Sequence, residues 1–372
     1  MSVTFRDYND HGSSTYVDPS NTPMDPKTVS ISKATATEFD YSIVYGGTTY
    51  TVAAGGQFDL SHLASPLITL ADAYAAVANN TLTGTVNSWV ITANGAYVVS
   101  QTYSPGLSLP VLKAFQDGTS LATFTTVLSG NDVYYTSATA TPTGGAWNAV
   151  YLYGGNDTYY ENHVLMQYSD LFYGGDGIDT AVLPGKASNY NIQASNTIWD
   201  NLNSIGNLPG YIITDNTKAI NTLQVNQVER LQFADTNVAL DIGPTQTAGS
   251  VYMLYQATFN RTPDAAGLGY WIAQVDKGAN IITTVAATFV SSPEFVAKYG
   301  ANPSNASYVD NLYQNVLHRS GDTGGVAYWN GQLNTGAATK AFVLEQFATL
   351  AEGAALVAPA IAHGIAYAQW VG

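Results

Sequence analysis

The sequence predicts a multidomain α+β protein with three differently folded regions. Short runs of Thr, Tyr and Val flank glycine turns in the first third, Gly/Asn/Asp turns punctuate the middle, and one residue set recurs at constant spacing in the last third. These patterns predict a β-rich domain, a short β-roll-like β region and an all-α tandem repeat. The expected boundaries are an irregular arm over 1–30, the β-rich domain with one helix over 31–127, the β-roll-like region over 128–242 and the helical repeat over 243–372.

The composition narrows the classes of function. The chain has 372 residues and no cysteine, which excludes thiol catalysis and Cys-ligated metals. Its 12 Lys and Arg against 27 Asp and Glu give a net charge of −15, and no basic block exists, so nucleic acid and anionic membranes are not expected partners. The chain contains no apolar run of about 18 residues, so no membrane span is predicted. The opening residues Met1–Asp10 lack the basic and apolar segments of a Sec signal peptide.

The arm and the β-rich domain are predicted from local signals. Pro19, Pro23 and Pro26 predict irregular structure in the arm. Apolar residues at helical spacing predict one helix within Leu67–Asn79. Two hairpins are expected. The first pairs Tyr41–Tyr45 with Thr48–Val52 around a turn at Gly46 and Gly47. The second pairs Trp89–Thr92 with Ala96–Val99 around a turn at Asn94 and Gly95.

The middle region contains a metal-binding motif. Residues 174–179 read Gly-Gly-Asp-Gly-Ile-Asp, which is the start of the G-G-x-G-x-D nonapeptide of calcium-binding parallel β-rolls. Glycines permit the tight turn, and its carbonyl and carboxylate oxygens are the ligands that calcium prefers. Gly174, Asp176, Gly177 and Asp179 are therefore candidate Ca²⁺ ligands. Two shorter turns, Ser129–Asp132 and Gly154–Asp157, predict further rungs. The turns are about 20 residues apart and not the nine of an uninterrupted roll, which predicts a short or irregular roll.

The last region carries an internal repeat with an offset of 58 residues. Tyr255, Arg261, Asp264 and the pair Tyr270-Trp271 recur as Tyr313, Arg319, Asp322 and Tyr328-Trp329, within units of about 250–307 and 308–366. Asp264 and Asp322 are expected to cap the following helix and to pair with Arg261 and Arg319, which gives these four residues a structural role in the loops. The Tyr-Trp pairs are expected between helices, with sugar stacking as the alternative.

Three features together resemble one group of bacterial surface proteins. The Gly174–Asp179 motif resembles the repeats-in-toxin (RTX) family. The segment Val228–Asp241 is similar to the strand pair that closes such regions, and the repeat around Asn260–Trp271 resembles a helical domain of unknown function found in type I-secreted, S-layer-like proteins. The resemblance implies an ion between successive turns, so Asp157 or Asp132, with Asn156, would complete the site. It also implies an uncleaved C-terminal secretion segment, for which Leu356–Gly372 is the candidate.

No catalytic constellation is recognisable, and the chain is not expected to be an enzyme. It has no G-x-S-x-G elbow, no phosphate loop, and no zinc-hydrolase spacing among its five histidines. The leading hypothesis is a secreted, calcium-binding structural protein of the bacterial cell surface that self-assembles, as in an S-layer or extracellular sheath. The first alternative is an adhesin that binds cell-surface polysaccharide through Trp89, Tyr97 and Tyr103. The second is an extracellular enzyme with its site in residues 1–127.

Overall fold

The computed structural model describes most of the chain, and for part of the strand residues it describes the backbone alone. The described residues are 2–7, 29–45, 48–63, 65–67, 69–93, 96–109, 130–136, 149–162, 168–198, 208–218 and 221–370. They form two compact units, 1–191 with 195–228 and 192–194 with 229–372. The first unit is β-rich and the second is mostly helical, so the predicted α+β class is confirmed.

The first unit contains most of the strands. They are β1 Ser2–Asp7, β2 Ser30–Ala34, β3 Glu38–Tyr45, β4 Thr48–Asp59, β5 Thr83–Ala93, β6 Ala96–Ser108, β7 Val133–Tyr135, β8 Ala149–Tyr151, β9 Thr158–Tyr160, β10 Tyr168–Tyr173, β11 Thr180–Val182, β12 Tyr190–Ile198, β13 Leu208–Asp215 and β14 Asn221–Asn226. Strands β2 to β6 form an antiparallel meander. Both predicted hairpins are confirmed, since Tyr45 pairs with Thr48 and Ala93 with Ala96.

An α-helix of this unit lies where the sequence predicts it. Helix α1 spans Leu70–Ala78, within the predicted segment Leu67–Asn79, and Thr69 is its N-cap. The backbone N–H of Thr69 donates to Asp72 Oδ2 at 2.7 Å, and the N–H of Asp72 donates to Thr69 Oγ1 at 3.3 Å. This reciprocal capping box satisfies two of the backbone donors that a helix start leaves open.

Strand β1 corrects the expected N-terminal arm. Ser2–Asp7 is not irregular: it pairs antiparallel with β6 on one side and parallel with β7 on the other. Residues 8–28, which hold the three prolines of the predicted arm, lie outside the described residues. Proline spacing predicts an interruption of regular structure, but it says nothing about the alternating residues Val3 to Arg6 that precede the prolines.

Two stacks of parallel strands follow the meander. Strands β7, β9 and β11 run parallel in the first sheet, and β8, β10 and β14 run parallel in the second, where β13 pairs antiparallel with β14 and β12 is at the edge. The chain passes from the second sheet to the first through a short turn after β8 and again after β10. The core lies between the sheets, where the fully buried rings of Tyr159 and Phe172 stack at 5.3 Å.

The second unit contains three short strands and most of the described helices. Its strands are β15 Arg230–Gln232, β16 Asn237–Ala239 and β17 Ile365–Tyr367, and its helices are α2 Thr247–Phe259, α3 Ala265–Asp276, a π-helix Ile281–Ala286, α4 Ala287–Ser291, α5 Pro293–Tyr299, α6 Asn305–Val316, α7 Thr323–Asn334, α8 Lys340–Thr349 and α9 Ala351–Ile361. No single helix among those described is long and apolar enough to cross a membrane. Helices α8 and α9 reach that length and hydropathy only together, with a bend of 58°.

The second compact unit includes two strands that precede the helices. Its main segment begins at Glu229, so strands β15 and β16 group with the helices that start at Thr247, just after the predicted boundary at residue 242. The reason is the end of the chain: β17 pairs antiparallel with β16, with Val238 opposite Ala366. The backbone N–H of Ala368 then donates to Ala265 O on α3 at 2.9 Å. The segment expected to carry the secretion address is therefore built into this unit.

A glycine permits this packing of the C-terminal segment against α3. A Cβ atom on Gly269 would lie 1.7 Å from the carbonyl oxygen of Ala368. Gly269→Ala is therefore expected to displace the segment and lower the free energy of unfolding by about 1–3 kcal/mol. The control is Gly331→Ala in α7, where a Cβ atom would meet nothing within 4 Å. This substitution should leave the free energy of unfolding unchanged or raise it by up to about 1 kcal/mol. Urea unfolding of dilute protein measures both variants, and equal stability would contradict the close packing of the C-terminal segment at Gly269.

Candidate functional site

Three Gly/Asn/Asp turns stack on one another in the first unit. They are Gly130–Asp132 before β7, Gly154–Asp157 before β9, and Gly174–Asp179 before β11. Backbone hydrogen bonds join them: the N–H of Gly155 donates to Asp176 O at 2.8 Å, and the N–H of Asp176 donates to Tyr153 O at 2.9 Å. The turns that the sequence separates by 22 to 25 residues are thus direct neighbours.

Glycine is required where the turns touch. Gly155 and Gly177 have φ values of 118° and 139°, which L side chains rarely adopt. A Cβ atom on Gly155 would lie 2.1 Å from Gly130 O, and one on Gly177 would lie 1.8 Å from Gly155 O. The glycines of the motif therefore permit both the left-handed turn and the close approach of each turn to the one before it.

The aspartates of the three turns form a ladder. Asp157 Oδ1 accepts the backbone N–H of Asp132 at 2.7 Å, and Asp179 Oδ1 accepts the N–H of Asp157 at 2.8 Å. All three side chains are buried, with no more than 1% of each residue exposed. Three formal negative charges are thus placed one above another in a region shielded from water, which is unfavourable without a compensating charge.

The asparagines form a second ladder that runs in the opposite sense. Asn131 Oδ1 accepts the N–H of Asn156 at 2.8 Å, and Asn156 Oδ1 accepts the N–H of Ile178 at 3.0 Å. This bond gives Asn156, predicted as a metal ligand, a structural partner. Asn131 was missed by the sequence reasoning, although the repeated Asn-Asp pair at 131–132 and 156–157 is a signal for it.

The pKa of the Asp157 carboxyl group in this stack is strongly perturbed. Burial raises its pKa to about 7, and the nearby charge of Asp132 adds to the rise, while the hydrogen bond from the N–H of Asp132 opposes it. Its Oδ2 atom has no hydrogen-bond partner among the described residues. An oxygen ligand in this state fits a hard divalent cation, which would lower that pKa and compensate the charge.

The structure brings only some of the predicted ligands together. Asp132, Asp157 and Asp179 line the interior of the stack, and the buried Gly174 lies beneath Asp179, since a Cβ atom there would be 2.3 Å from Asp179 Oδ2. The side chain of Asp176 is exposed, as is Gly177. Among the described residues, no three Asp, Glu or His side chains converge on one point as a complete metal cage. A calcium ion here would therefore need backbone carbonyl oxygens in addition to carboxylates.

The raised pKa of Asp157 predicts an unusual pH dependence of folding stability in the absence of calcium. The folded-state pKa of about 7 exceeds the ordinary value of 3.8, so the unfolded state loses its proton first as the pH rises. Stability is then full below about pH 4, falls between about pH 4 and pH 7, and is reduced by about 2–4 kcal/mol above that range.

Thermal unfolding in a calcium chelator across this pH range measures the effect. Asp157→Asn keeps the Oδ1 acceptor for Asp132 and removes the charge, so this component of the pH dependence should disappear. If the melting temperatures of the wild type and the variant change equally between pH 4 and pH 7, the raised pKa of Asp157 is contradicted.

In the second unit, the predicted caps are confirmed. Asp264 accepts the N–H of Gly267 at 2.7 Å at the start of α3, and Asp322 accepts the N–H of Gly325 at 2.8 Å at the start of α7. The bond from Gly325 lowers the pKa of Asp322. These carboxylates satisfy open backbone donors at positions where the helix dipole favours negative charge.

The predicted pairing of Arg261 with Asp264 is present as a long ion pair, but each arginine has a closer partner, a glutamate. Arg261 lies 3.9 Å from Asp264, but its Nε and Nη2 donate to Glu294 at 2.7 and 3.0 Å. Arg319 donates to Glu352 at 2.6 and 2.8 Å, and its described ion pairs do not include Asp322. Each glutamate lies in the first turn of a later helix, 33 residues beyond its arginine. The recurrence of both glutamates at the 58-residue offset was the signal for this pairing.

The side chains of the proposed sugar-binding aromatics lie outside the description. Trp89 is on β5, and Tyr97 and Tyr103 are on β6, but only their backbones are described. Tyr270-Trp271 and Tyr328-Trp329 are described, and both tryptophans lie between helices, with Trp271 5.5 Å from Phe289 and Trp329 5.8 Å from Phe347. The predicted packing role holds for the tryptophans, whereas Tyr328 is 57% exposed.

The comparison with known proteins concerns the helical region alone. A family model described as a domain of unknown function, DUF4214, matches residues 242–285 and 286–357. This is the region whose sequence resembles a helical domain of unknown function, and the family's description carries no activity. No curated protein and no solved structure matches the chain.

Proposed function

We propose that this protein is a secreted, calcium-binding structural protein of the bacterial cell surface that assembles with copies of itself. The observation that carries the proposal is the ladder of buried carboxylates Asp132, Asp157 and Asp179, stacked through three Gly/Asn/Asp turns of which one, Gly174–Asp179, has the nonapeptide sequence. Calcium is abundant outside cells, so such a ladder is stable in that compartment and repels itself where calcium is scarce.

The expected ligands are a subset of the sequence candidates. Two successive aspartates of the set Asp132, Asp157 and Asp179 would hold an ion between their turns together with backbone carbonyl oxygens, as the resemblance to RTX-type rolls implies. Gly174 provides the close approach beside Asp179. The exposed carboxylate of Asp176 has no part in this proposal. The bound ion supplies positive charge that offsets the repulsion, so calcium binding and folding of the stack are coupled.

The same proposal accounts for the helical unit as a duplicated module. The ion pairs Arg261–Glu294 and Arg319–Glu352, and the caps Asp264 and Asp322, recur at one offset. A tandem repeat of this kind adds surface without adding a catalytic site, which suits a protein whose role is assembly. The C-terminal segment, proposed as the type I secretion address, would be accessible to an exporter only before the unit folds.

Particle size with and without calcium tests self-assembly. Light scattering and electron microscopy of purified protein are expected to show oligomers or a regular array at millimolar calcium, and smaller particles after addition of EGTA. A monodisperse monomer under both conditions, up to high protein concentration, would contradict the proposal. Binding to polysaccharide by such a monomer would favour the adhesin alternative.

A further inference from the structure

Strand β1 is the first described strand of the chain, and yet it lies inside a sheet. It pairs antiparallel with β6, where Thr4 lies opposite Thr102, and parallel with β7, where Thr4 lies opposite Val133. Without β1, the facing edges of β6 and β7 would present unpaired backbone N–H and C=O groups, which an extended segment satisfies with main-chain hydrogen bonds. Strands β6 and β7 thus form the two sides of a slot that accepts one strand.

The connection from β1 to β2 is longer than its path requires. Asp7, which ends β1, and Ile31, in β2, lie on one line across the meander, because successive strand pairs join them through β6, β5, β4 and β3. Five strand spacings of about 4.8 Å put these residues about 24 Å apart along the sheet. Residues 8–28 could span about 70 Å if fully extended. The connection is therefore long enough to bring β1 to the slot of its own molecule or to that of a neighbour.

The register of the two strand pairs identifies the occupant of the slot. The structure places the β1 sequence there, in one register against β6 and β7. A second copy of the chain carries the same strand and would make the same contacts, so an exchange of β1 between copies costs little beyond the entropy of association. The long connection holds β1 at its own slot with an effective concentration of at most on the order of millimolar, which neighbouring copies in an array can match.

One side of the slot is attached to the aspartate ladder. Strand β7 begins directly after Asp132, whose N–H donates to Asp157 Oδ1 at 2.7 Å and whose C=O accepts the N–H of Thr158 at 2.8 Å. Repulsion between the buried aspartates would loosen the start of β7 and with it one side of the slot, whereas a bound divalent cation would hold it in place. Insertion of a strand beside β7 is therefore favoured by the ion that the ladder is proposed to bind.

We propose that copies of this protein associate by strand exchange, in which β1 of one copy inserts between β6 and β7 of another when calcium is bound. The partner copy then contributes six residues, Ser2–Asp7, to a sheet that is incomplete without them. This inference rests on the proposed calcium-dependent self-assembly and names the element that makes the contact between copies.

Disulfide trapping in the full chain tests the exchange, and the absence of cysteine makes it specific. Thr4 and Thr102 are direct partners in the ladder between β1 and β6, where Cα atoms lie about 4.5–5.5 Å apart and within disulfide reach. Thr4→Cys chains are mixed in EGTA with Thr102→Cys chains that carry a size tag, transferred to millimolar calcium and oxidised. Since neither chain holds both cysteines, exchange is expected to give a heterodimer in excess over both homodimers, and this excess should be lost when oxidation is carried out in EGTA.

The matched control is a mixture of Thr51→Cys and Thr92→Cys chains. These two threonines are also direct antiparallel partners, but they lie on β4 and β5 within the meander, where no exchange is proposed. This mixture should give no excess of heterodimer. A second measurement uses the double variant Thr4→Cys/Thr102→Cys, which is expected to form covalent species of two or more chains in calcium, whereas Thr51→Cys/Thr92→Cys should form an internally cross-linked monomer. Circular dichroism of all variants verifies that they are folded.

The outcomes separate this inference from the proposal beneath it. If the wild type associates in calcium but Thr4→Cys/Thr102→Cys gives only an internally cross-linked monomer, strand exchange is wrong while self-assembly stands. If the wild type stays monomeric in calcium at all concentrations, self-assembly is wrong and the exchange falls with it. If Thr4→Cys/Thr102→Cys forms no disulfide at all, β1 does not occupy the slot in this register and the inference is overturned. Equal yields of heterodimer in calcium and in EGTA would overturn the dependence of the exchange on the ladder.

Discussion

Arg230→Met is expected to destabilise the helical unit by about 3–5 kcal/mol. Arg230 is 5% exposed on β15, where it contacts two carboxylates at once. Its Nη1 donates to Asp241 Oδ1, and its Nη2 donates to both carboxylate oxygens of Asp276 at 3.0 Å. Asp241 also accepts the N–H of Ala248 at the start of α2, and Asp276 ends α3. Removal of the guanidinium leaves a buried negative charge uncompensated, which costs far more than loss of an exposed pair.

Arg261→Met is the matched control for this effect. Arg261 forms a two-point ion pair with Glu294, but the two side chains are 40% and 46% exposed. Solvent screens such a pair, so its loss, together with the cation–π contact to Tyr255, should cost about 1 kcal/mol or less. Urea unfolding followed by far-UV circular dichroism compares the two variants. Equal losses in the free energy of unfolding would show that the buried contacts of Arg230 with Asp241 and Asp276 contribute no more than an ordinary surface ion pair.

Asp179→Asn is expected to remove most of the stabilisation that calcium is proposed to confer on the β unit. Asn keeps the Oδ1 acceptor for the N–H of Asp157, which lies at 2.8 Å, and changes only the charge. At a calcium concentration about 100 times the dissociation constant, binding stabilises the wild type by about 2.7 kcal/mol, and the variant should lose most of this. Without calcium the variant should be equally or more stable than the wild type, because it removes one of three stacked buried charges.

Asp176→Asn is the control within the same turn. Its side chain is exposed, so the substitution removes the same charge and should leave the calcium-dependent shift of the melting temperature intact. Thermal unfolding in calcium and in EGTA gives the shift for the wild type and both variants. A shift in Asp179→Asn as large as in the wild type would rule out Asp179 as a ligand, and loss of the shift in Asp176→Asn alone would move the site to the outer surface.

Features that depend on neighbouring residues were predictable. The two hairpins, helix α1 and the caps at Asp264 and Asp322 lie where the sequence predicts them. Each depends on signals within a few residues: a glycine turn between β-forming runs, apolar spacing, or an acidic side chain before a helix. A similar regularity explains Asn260 and His318, which share the repeat position and both adopt left-handed backbone, with φ of 49° and 51°.

The main ion-pair partner of Arg261 was not predictable from neighbouring residues. The nearest acidic residue, three positions along the chain, suggested the partner of Arg261, but the side chain is only within 3.9 Å of Asp264 and donates to Glu294 at 2.7 Å. Asp264 is already engaged as a cap by the N–H of Gly267, and folding brings Glu294 to the arginine from 33 residues away. Proximity in sequence was therefore a poor guide once one carboxylate had a backbone donor to satisfy.

From its residues alone, this chain is recognisable as an acidic, cysteine-free α+β protein with glycine–aspartate turns in the middle and repeated helices at the end. These properties follow from composition, short-range turn chemistry and periodicity, which act over a few residues or one repeat. Folding added the relations between distant residues: β1 beside β7, the last strand beside β16, and the buried ladder of three aspartates. Such contacts form because backbone groups and apolar faces must find partners across the whole unit, and no local pattern specifies which partner that will be.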